Sequence, residues 1–211
     1  MSAVPVVILQ TCRGVTPGGC RHGASLPADA LAELVELAAT APCPAALADL
    51  ARPLRRHEQF RLAVSACPSG CVQPQVADLG LVAVRETTID AAACHGCAAC
   101  AEACPDAAIS VRQGKAVLDP AACLGCGACA RVCPSRAIAN GPVAFRVFLG
   151  GRLGRRPRLG TELGCLLPPP AALALARRAL DVYARDMRPG RRFGDILFPG
   201  GLPGLPAWVW P

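Results

Sequence analysis

Apolar positions along the chain fall into short runs of strand length and two stretches with helical spacing. Residues 5–9 form an apolar run of the length expected for a buried strand, and the run leads straight into Cys12, which is expected on a loop. Behind Pro27, the residues Leu31, Leu34, Val35 and Ala38 recur at helical spacing, so the pattern predicts an amphipathic helix over 27–39 with proline in its first turn. A weaker helix is expected over 45–56. Residues 61–66 read as a strand ending at Cys67, and 79–86 as a second strand, with Cys71 on the intervening turn beside Gly70, Pro74 and Gln75. Asn140-Gly141 signals a turn before a third strand at 143–150. A basic glycine-rich loop is expected over 151–160, then a helix over 171–187 announced by Pro168 to Pro170, and a poorly ordered tail from Gly200.

Between the second and third of these strands the apolar pattern gives way to a repeat. Residues 94–105 return, cysteine for cysteine, at 123–134. Each copy reads C-x2-C-x2-C-x3-C-P: Cys94, Cys97, Cys100, Cys104, Pro105, and Cys123, Cys126, Cys129, Cys133, Pro134. Two-residue gaps let a tight loop wrap three thiolates around one iron–sulfur cluster, while the fourth cysteine of each run ligates the other cluster. Cluster one is therefore expected on Cys94, Cys97, Cys100 and Cys133, and cluster two on Cys123, Cys126, Cys129 and Cys104. Structural zinc would instead use separated cysteine pairs, and it leaves the x3-C-P ending unexplained. This is the run of a bacterial two-cluster [4Fe–4S] ferredoxin.

Composition narrows the setting. A chain of 211 residues can bury one substantial core or carry a small insert. The apolar stretch near 171–182 is interrupted by Arg177, Arg178 and Asp181, so no membrane span is expected, and residues 1–10 lack the features of a secretory signal. Fourteen cysteines in this spacing favour metal ligation over disulfides and place the protein in a reducing cytoplasm. The net charge of +7 is carried mainly by arginine, and aromatic residues are too few for base stacking, which excludes a nucleic-acid platform and suits acidic partners.

Four further cysteines come in two close pairs, Cys12 with Cys20 and Cys67 with Cys71, each pair following a strand-like run. Four thiolates there could hold a third [4Fe–4S] cluster. The segments Thr11-Cys12-Arg13-Gly14, Gly19-Cys20-Arg21, Ala66-Cys67-Pro68-Ser69-Gly70-Cys71-Val72-Gln73-Pro74-Gln75 and Ala77-Asp78-Leu79-Gly80 resemble the sirohaem and [4Fe–4S] half of the sulfite and nitrite reductases. With the two-cluster insert and the following Gly150-Gly151-Arg152 loop, the resemblance is to the anaerobic and dissimilatory branch, and it spans most of the chain. It implies that Cys12, Cys20, Cys67 and Cys71 ligate the third cluster and that Cys71 also bridges to the sirohaem iron. Sirohaem carries eight carboxylates, which guanidinium groups pair bidentately, and Arg13 and Arg152 are the candidates for that role, with Arg21 behind them. The pattern departs from the family in the seven residues between Cys12 and Cys20, where five are usual, and the half that supplies several basic substrate contacts is not within these residues.

The expected architecture is thus α+β: a sulfite/nitrite reductase-like [4Fe–4S]/sirohaem domain made of residues 1–86 and 141–211, interrupted by a two-cluster ferredoxin domain over 87–140. Electrons from a redox partner protein would enter at the insert and serve reduction of sulfite or nitrite, with a partner subunit or a second copy completing the site. The alternative is a non-catalytic ferredoxin-like carrier or accessory subunit. Cys43 and Cys165 are expected to be packing cysteines, and His22, His57 and His95 to be surface or hydrogen-bonded groups. The run Arg155, Arg156, Arg158 reads as a solvated loop or docking patch.

Overall fold

The structure is a computed structural model that describes residues 5–24, 26–199 and 205–210. Its centre is a five-stranded mixed sheet. The strands β1 (Val7–Thr11), β2 (Phe60–Ser65) and β3 (Leu79–Ile89) run parallel to one another, and helix α1 (Ala28–Thr40) makes the crossover from β1 to β2. The single-turn helix α2 (Ala45–Ala48) lies on the same connection. Beyond β3 come two antiparallel neighbours, β6 (Ile138–Leu149) and β7 (Thr161–Glu162). The parallel front half makes this a mixed α/β fold, where the sequence had suggested α+β. The physical reason is the continuous apolar character of Leu62–Val64 and Leu79–Val84, which are buried on both faces as parallel strands require.

Helix α5 (Pro169–Asp186) starts with prolines in the first turn, where the missing N–H costs nothing, and packs Leu173, Leu175, Ala176, Ala179, Leu180 and Tyr183 into the core. Phe60, Tyr183 and Phe193 meet edge to face, with ring centroids 4.8 to 6.5 Å apart. The Tyr183 hydroxyl donates to the Glu58 carbonyl at 2.7 Å. Short helix α6 (Phe193–Leu197) closes this end of the sheet.

Two expectations about elements fail here. The helix expected over 45–56 stops at Ala48, because the chain beyond it wraps the fully buried Glu58, which accepts from Arg52 Nη1 and Nη2 and from the Arg55 and Gly190 amides. The tail expected to be loose from Gly200 docks where it is described: Val209 is buried and Arg178 donates to the Trp208 carbonyl at 2.9 Å, while 200–204 lie outside the described residues. Among the described residues no helix is long and apolar enough to cross a membrane.

Strands β3 and β6 also exceed the lengths read from the pattern. Past a bulge between Arg85 and Thr87 their pairing continues through Thr87↔Asn140, Thr88↔Ala139 and Ile89↔Ile138. The segment between them holds helix α3 (Ala99–Glu102), a separate hairpin of β4 (Ile109–Arg112) and β5 (Lys115–Leu118), and helix α4 (Ala128–Val132). With Ile138 of β6 it builds a small core of Cys100, Ile109, Ala116 and Cys129.

Candidate functional site

The cysteine repeat is also a repeat of backbone geometry. Left-handed residues recur in register: Gly96 with Gly125, Ala98 with Gly127, Ala107 with Arg136. Asp90 and Asp119 each accept an amide two residues on, from Ala92 and Ala121, at 2.8 and 2.9 Å. The Asp90 amide donates to the Ala137 carbonyl and the Asp119 amide to that of Ala108, so each half borrows the strand that follows the other. By the same relation the Ile89↔Ile138 ladder is the counterpart of Leu118↔Ile109. One of the two hairpins of this unit is therefore the outer end of β3 and β6 themselves.

This exchange puts the cysteines into two groups. Cys94, Cys97, Cys100 and Cys133 line one pocket, closed by Val111, Ala116 and Ile138. Cys104, Cys123, Cys126 and Cys129 line the other, closed by Ile109 and Leu118. Amides point at the sulfurs: Ala116 to Cys94 Sγ at 3.4 Å, Ala108 to Cys104 Sγ at 3.3 Å, Gly125 to Cys123 Sγ at 3.4 Å. The Ala116 and Gly96 amides hold the Cys94 thiol below its ordinary value, whereas burial pushes Cys100 and Cys129 up. A soft donor set with amide support suits an iron–sulfur cluster, whose charge such bonds stabilise. Among the described residues no three His, Cys, Asp or Glu side chains converge on one point as the ligands of a single ion do.

Two of the outer cysteines stand at the carboxyl ends of the parallel strands. Cys12 follows β1 and Cys67 follows β2, and the Ala66 amide donates to Cys12 Sγ at 3.2 Å. Gly14 lets the Cys20 loop close on this edge: a Cβ there would stand 3.2 Å from both the Ala66 and the Cys20 β-carbons. The His22 amide, with further help from the Gly23 amide and Arg13, lowers the Cys20 thiol against the opposing effect of burial.

Cys71, four residues beyond Cys67, is exposed and lines a cavity of about 500 Å³. The other wall is the loop after β6, brought close because Gly151 has no side chain; a Cβ there would fall 2.5 Å from the Gln75 carbonyl oxygen. Arg56, Arg61, Arg152 and Arg192 all line this cavity, with His57 and one acid, Asp78. Arg61 donates to Gln10 at 3.0 Å, but its Nε is buried without a partner. Asp78 accepts the Arg61 amide at 2.9 Å, yet burial outweighs this bond and the nearby arginines and raises its carboxyl to about 7. An anion entering this space meets guanidinium groups and an acid able to hold a proton at neutral pH.

Residues 49–209 match the family model for the nitrite and sulphite reductase 4Fe-4S domain, more than half of the chain. The chain belongs to this family. Over 54 residues it is 44% identical to a coenzyme F420-dependent sulfite reductase of Methanocaldococcus jannaschii, and over 61 residues 37% identical to one of the subunits of an anaerobic sulfite reductase from Salmonella typhimurium. Those segments are 26% and 28% of this chain but only 9% and 18% of the relatives. The fold is similar to that of dissimilatory sulfite reductase I, with a TM-score of 0.58 at 16% identity, covering 92% of this chain and 49% of the other.

Within this nitrite and sulphite reductase domain, the residues singled out from sequence do not all meet. Arg152 lines the cavity beside Cys71, although Nη1 is engaged by Asp195 at 3.0 Å. Arg13 does not line it and stands by the Cys20 thiol instead. Arg21 is exposed and donates to His22. Of the Arg155–Arg158 run, Arg155 and Arg156 are exposed, but Arg158 is structural: it donates to the Gly150 and Gly194 carbonyls and covers the Phe198 ring at 5.0 Å. Cys43 and Cys165, expected to pack, are exposed. Sequence reasoning missed Arg56, His57, Arg61, Asp78 and Arg192. Arg56, His57 and Arg192 sit in or beside the arginine-rich runs 52–56 and 185–192, and Asp78 is part of the Ala77-Asp78-Leu79-Gly80 segment, but only the fold turns all of them toward one space.

Proposed function

We propose that this chain is the electron-handling part of a sulfite or nitrite reductase. In this reading residues 87–140 are a two-cluster ferredoxin unit inserted into a reductase domain made of 1–86 and 141–211. Cys94, Cys97, Cys100 and Cys133 would hold one [4Fe–4S] cluster, Cys104, Cys123, Cys126 and Cys129 a second, and Cys12, Cys20, Cys67 and Cys71 a third. Cys71 would also carry sirohaem in the cavity beside it. When bound, the clusters supply one-electron storage and the tetrapyrrole iron supplies the position at which an oxyanion is reduced.

The observation that carries this reading is the grouping of eight thiols into two pockets, each combining three cysteines of one run with the fourth of the other. Support for the tetrapyrrole comes from the arginine-lined cavity at Cys71, where four guanidinium-bearing residues share the wall with a single acid. In that cavity the chain's own residues have separable roles. Arg61, Arg152 and Arg192 would bind and orient carboxylates or the oxyanion, and Asp78 would hold a proton near neutral pH. A redox partner protein would feed the insert, and a second subunit or copy would complete the substrate side.

Anaerobic purification with iron counting, tetrapyrrole extraction and an optical spectrum tests the proposal. About twelve irons from three cubanes plus one in a tetrapyrrole, with sharp visible bands, are expected. About eight irons and no tetrapyrrole would leave a ferredoxin-like carrier with an unloaded outer domain.

A further inference from the structure

The two halves of the cysteine repeat are equivalent in backbone but differ in what they rest on. In the first half Gly96 packs against Gly114, a turn residue with no side chain, where an added Cβ would lie 2.4 Å from the Gly114 carbonyl oxygen. In the second half the corresponding Gly125 packs against Arg85, at the β3 bulge, where an added Cβ would lie 3.0 Å from the Arg85 carbonyl oxygen. The position that is a bare turn in one copy is thus an arginine on the central sheet in the other. Its side chain leaves the repeat and reaches the outer cysteine region.

We propose that Arg85 is a positioning residue that couples the Cys123 set to the outer cysteines, making that set, rather than the Cys94 set, the one facing the reductase domain. A continuous line of hydrogen bonds supports it. Gly125 donates its amide to Cys123 Sγ at 3.4 Å, and its carbonyl accepts the Arg85 amide at 2.9 Å. Arg85 Nη2 donates to the Ala24 carbonyl at 3.1 Å. The Ala24 amide donates to the Ala66 carbonyl at 2.8 Å, and the Ala66 amide to Cys12 Sγ at 3.2 Å. Thiol is joined to thiol through five hydrogen bonds, and the only side chain among the intermediate links is that of Arg85. The Cys94 loop is supported from within its own unit, by Lys115 Nζ to the Cys94 carbonyl at 2.7 Å and the Ala116 amide to its sulfur.

The inference rests on the proposed iron–sulfur loading of both sets. The transfer it concerns moves one electron from the group on the Cys123 set to the group on the outer set, with no bond or proton changed. The test is freeze-quench electron paramagnetic resonance on holoprotein given less than one equivalent of dithionite, comparing wild type, Arg85→Met, Arg85→Gln and Arg85→Lys, with iron counted in each. Met keeps the strand and the backbone amide but removes the donor to Ala24, so the fast phase of electron redistribution and the magnetic coupling between the two sets should be lost at unchanged iron content. Gln, too short to reach Ala24, should behave as Met does and serves if Met fails to load. Lys, which restores a donor of similar length, should recover the fast phase.

A fast phase and coupling retained in the Met or Gln variant at about twelve irons overturns the role of Arg85 while leaving the proposed function standing. About eight irons in the wild type overturns both, since the outer set then offers no acceptor.

Discussion

Glu58 shows what a single buried charge does for this fold. Its carboxylate is fully buried, yet the Arg52 guanidinium donates to it from Nη2 and Nη1 at 2.6 and 2.7 Å, and the Arg55 and Gly190 amides complete the shell. The Arg52 bond is the largest cause of its low pKa, about 2 against an ordinary 4.5. A carboxyl lowered on folding adds stability above its unfolded value, and that stability drains away as pH falls from about 4.5 through about 2. Glu58→Gln leaves Arg52 and its loop without a counter-charge, and is expected to cost about 3 kcal/mol at pH 7. Urea unfolding followed by circular dichroism should show that gap narrowing toward pH 2.5, where the wild type loses much of the same advantage.

At the scale of elements, the long β3–β6 ribbon does the joining. One end lies in the central sheet and the other forms a hairpin of the cysteine unit, so the two share strands and not merely a linker. The bulge at Arg85 marks the change from one to the other, and Gly125 presses onto it with φ of +71°. A side chain there would be strained by its backbone and would approach the Val84 β-carbon to 3.0 Å. Gly125→Ala is expected to lower stability by about 1–2 kcal/mol from the conformational cost. It should also raise amide exchange at Arg85 and Gly125, read by hydrogen–deuterium exchange, while the Cys94 half stays protected.

For the whole molecule, the division of labour among the cysteines becomes testable through Cys71. It is the exposed member of the outer four and the one that lines the arginine-rich cavity. On the proposed loading, Cys71→Ser is expected to abolish the visible tetrapyrrole bands while iron analysis still finds about eight irons, those proposed for the two inner cysteine sets. Loss of every cluster together would contradict the separation of the inner and outer sets. The same cavity accounts for part of the +7 charge of the chain: four of its arginines converge there with a single acid, a concentration that favours an anionic occupant.

The sequence alone determined the covalent pattern: the repeat of two cysteine runs, the paired outer cysteines, and the strands and helices at Val7–Thr11, Ala28–Thr40, Phe60–Ser65 and Pro169–Asp186 to within a few residues. These are local signals, because spacing and apolar period are written directly in neighbouring residues. Only the tertiary structure decided which arginines share a space with Cys71, why the helix after Ala45 stops after one turn, and that the ends of β3 and β6 belong to the cysteine unit. Each depends on partners far apart in the chain. Arg61 and Arg192 line one cavity from distant parts of the chain, Glu58 draws in Arg52 and Gly190, and the Thr87–Ile89 segment pairs with residues 138–140 across the whole repeat. A long-range partner leaves no periodic trace, so the burial and hydrogen bonds that fix it exist only once the chain has folded.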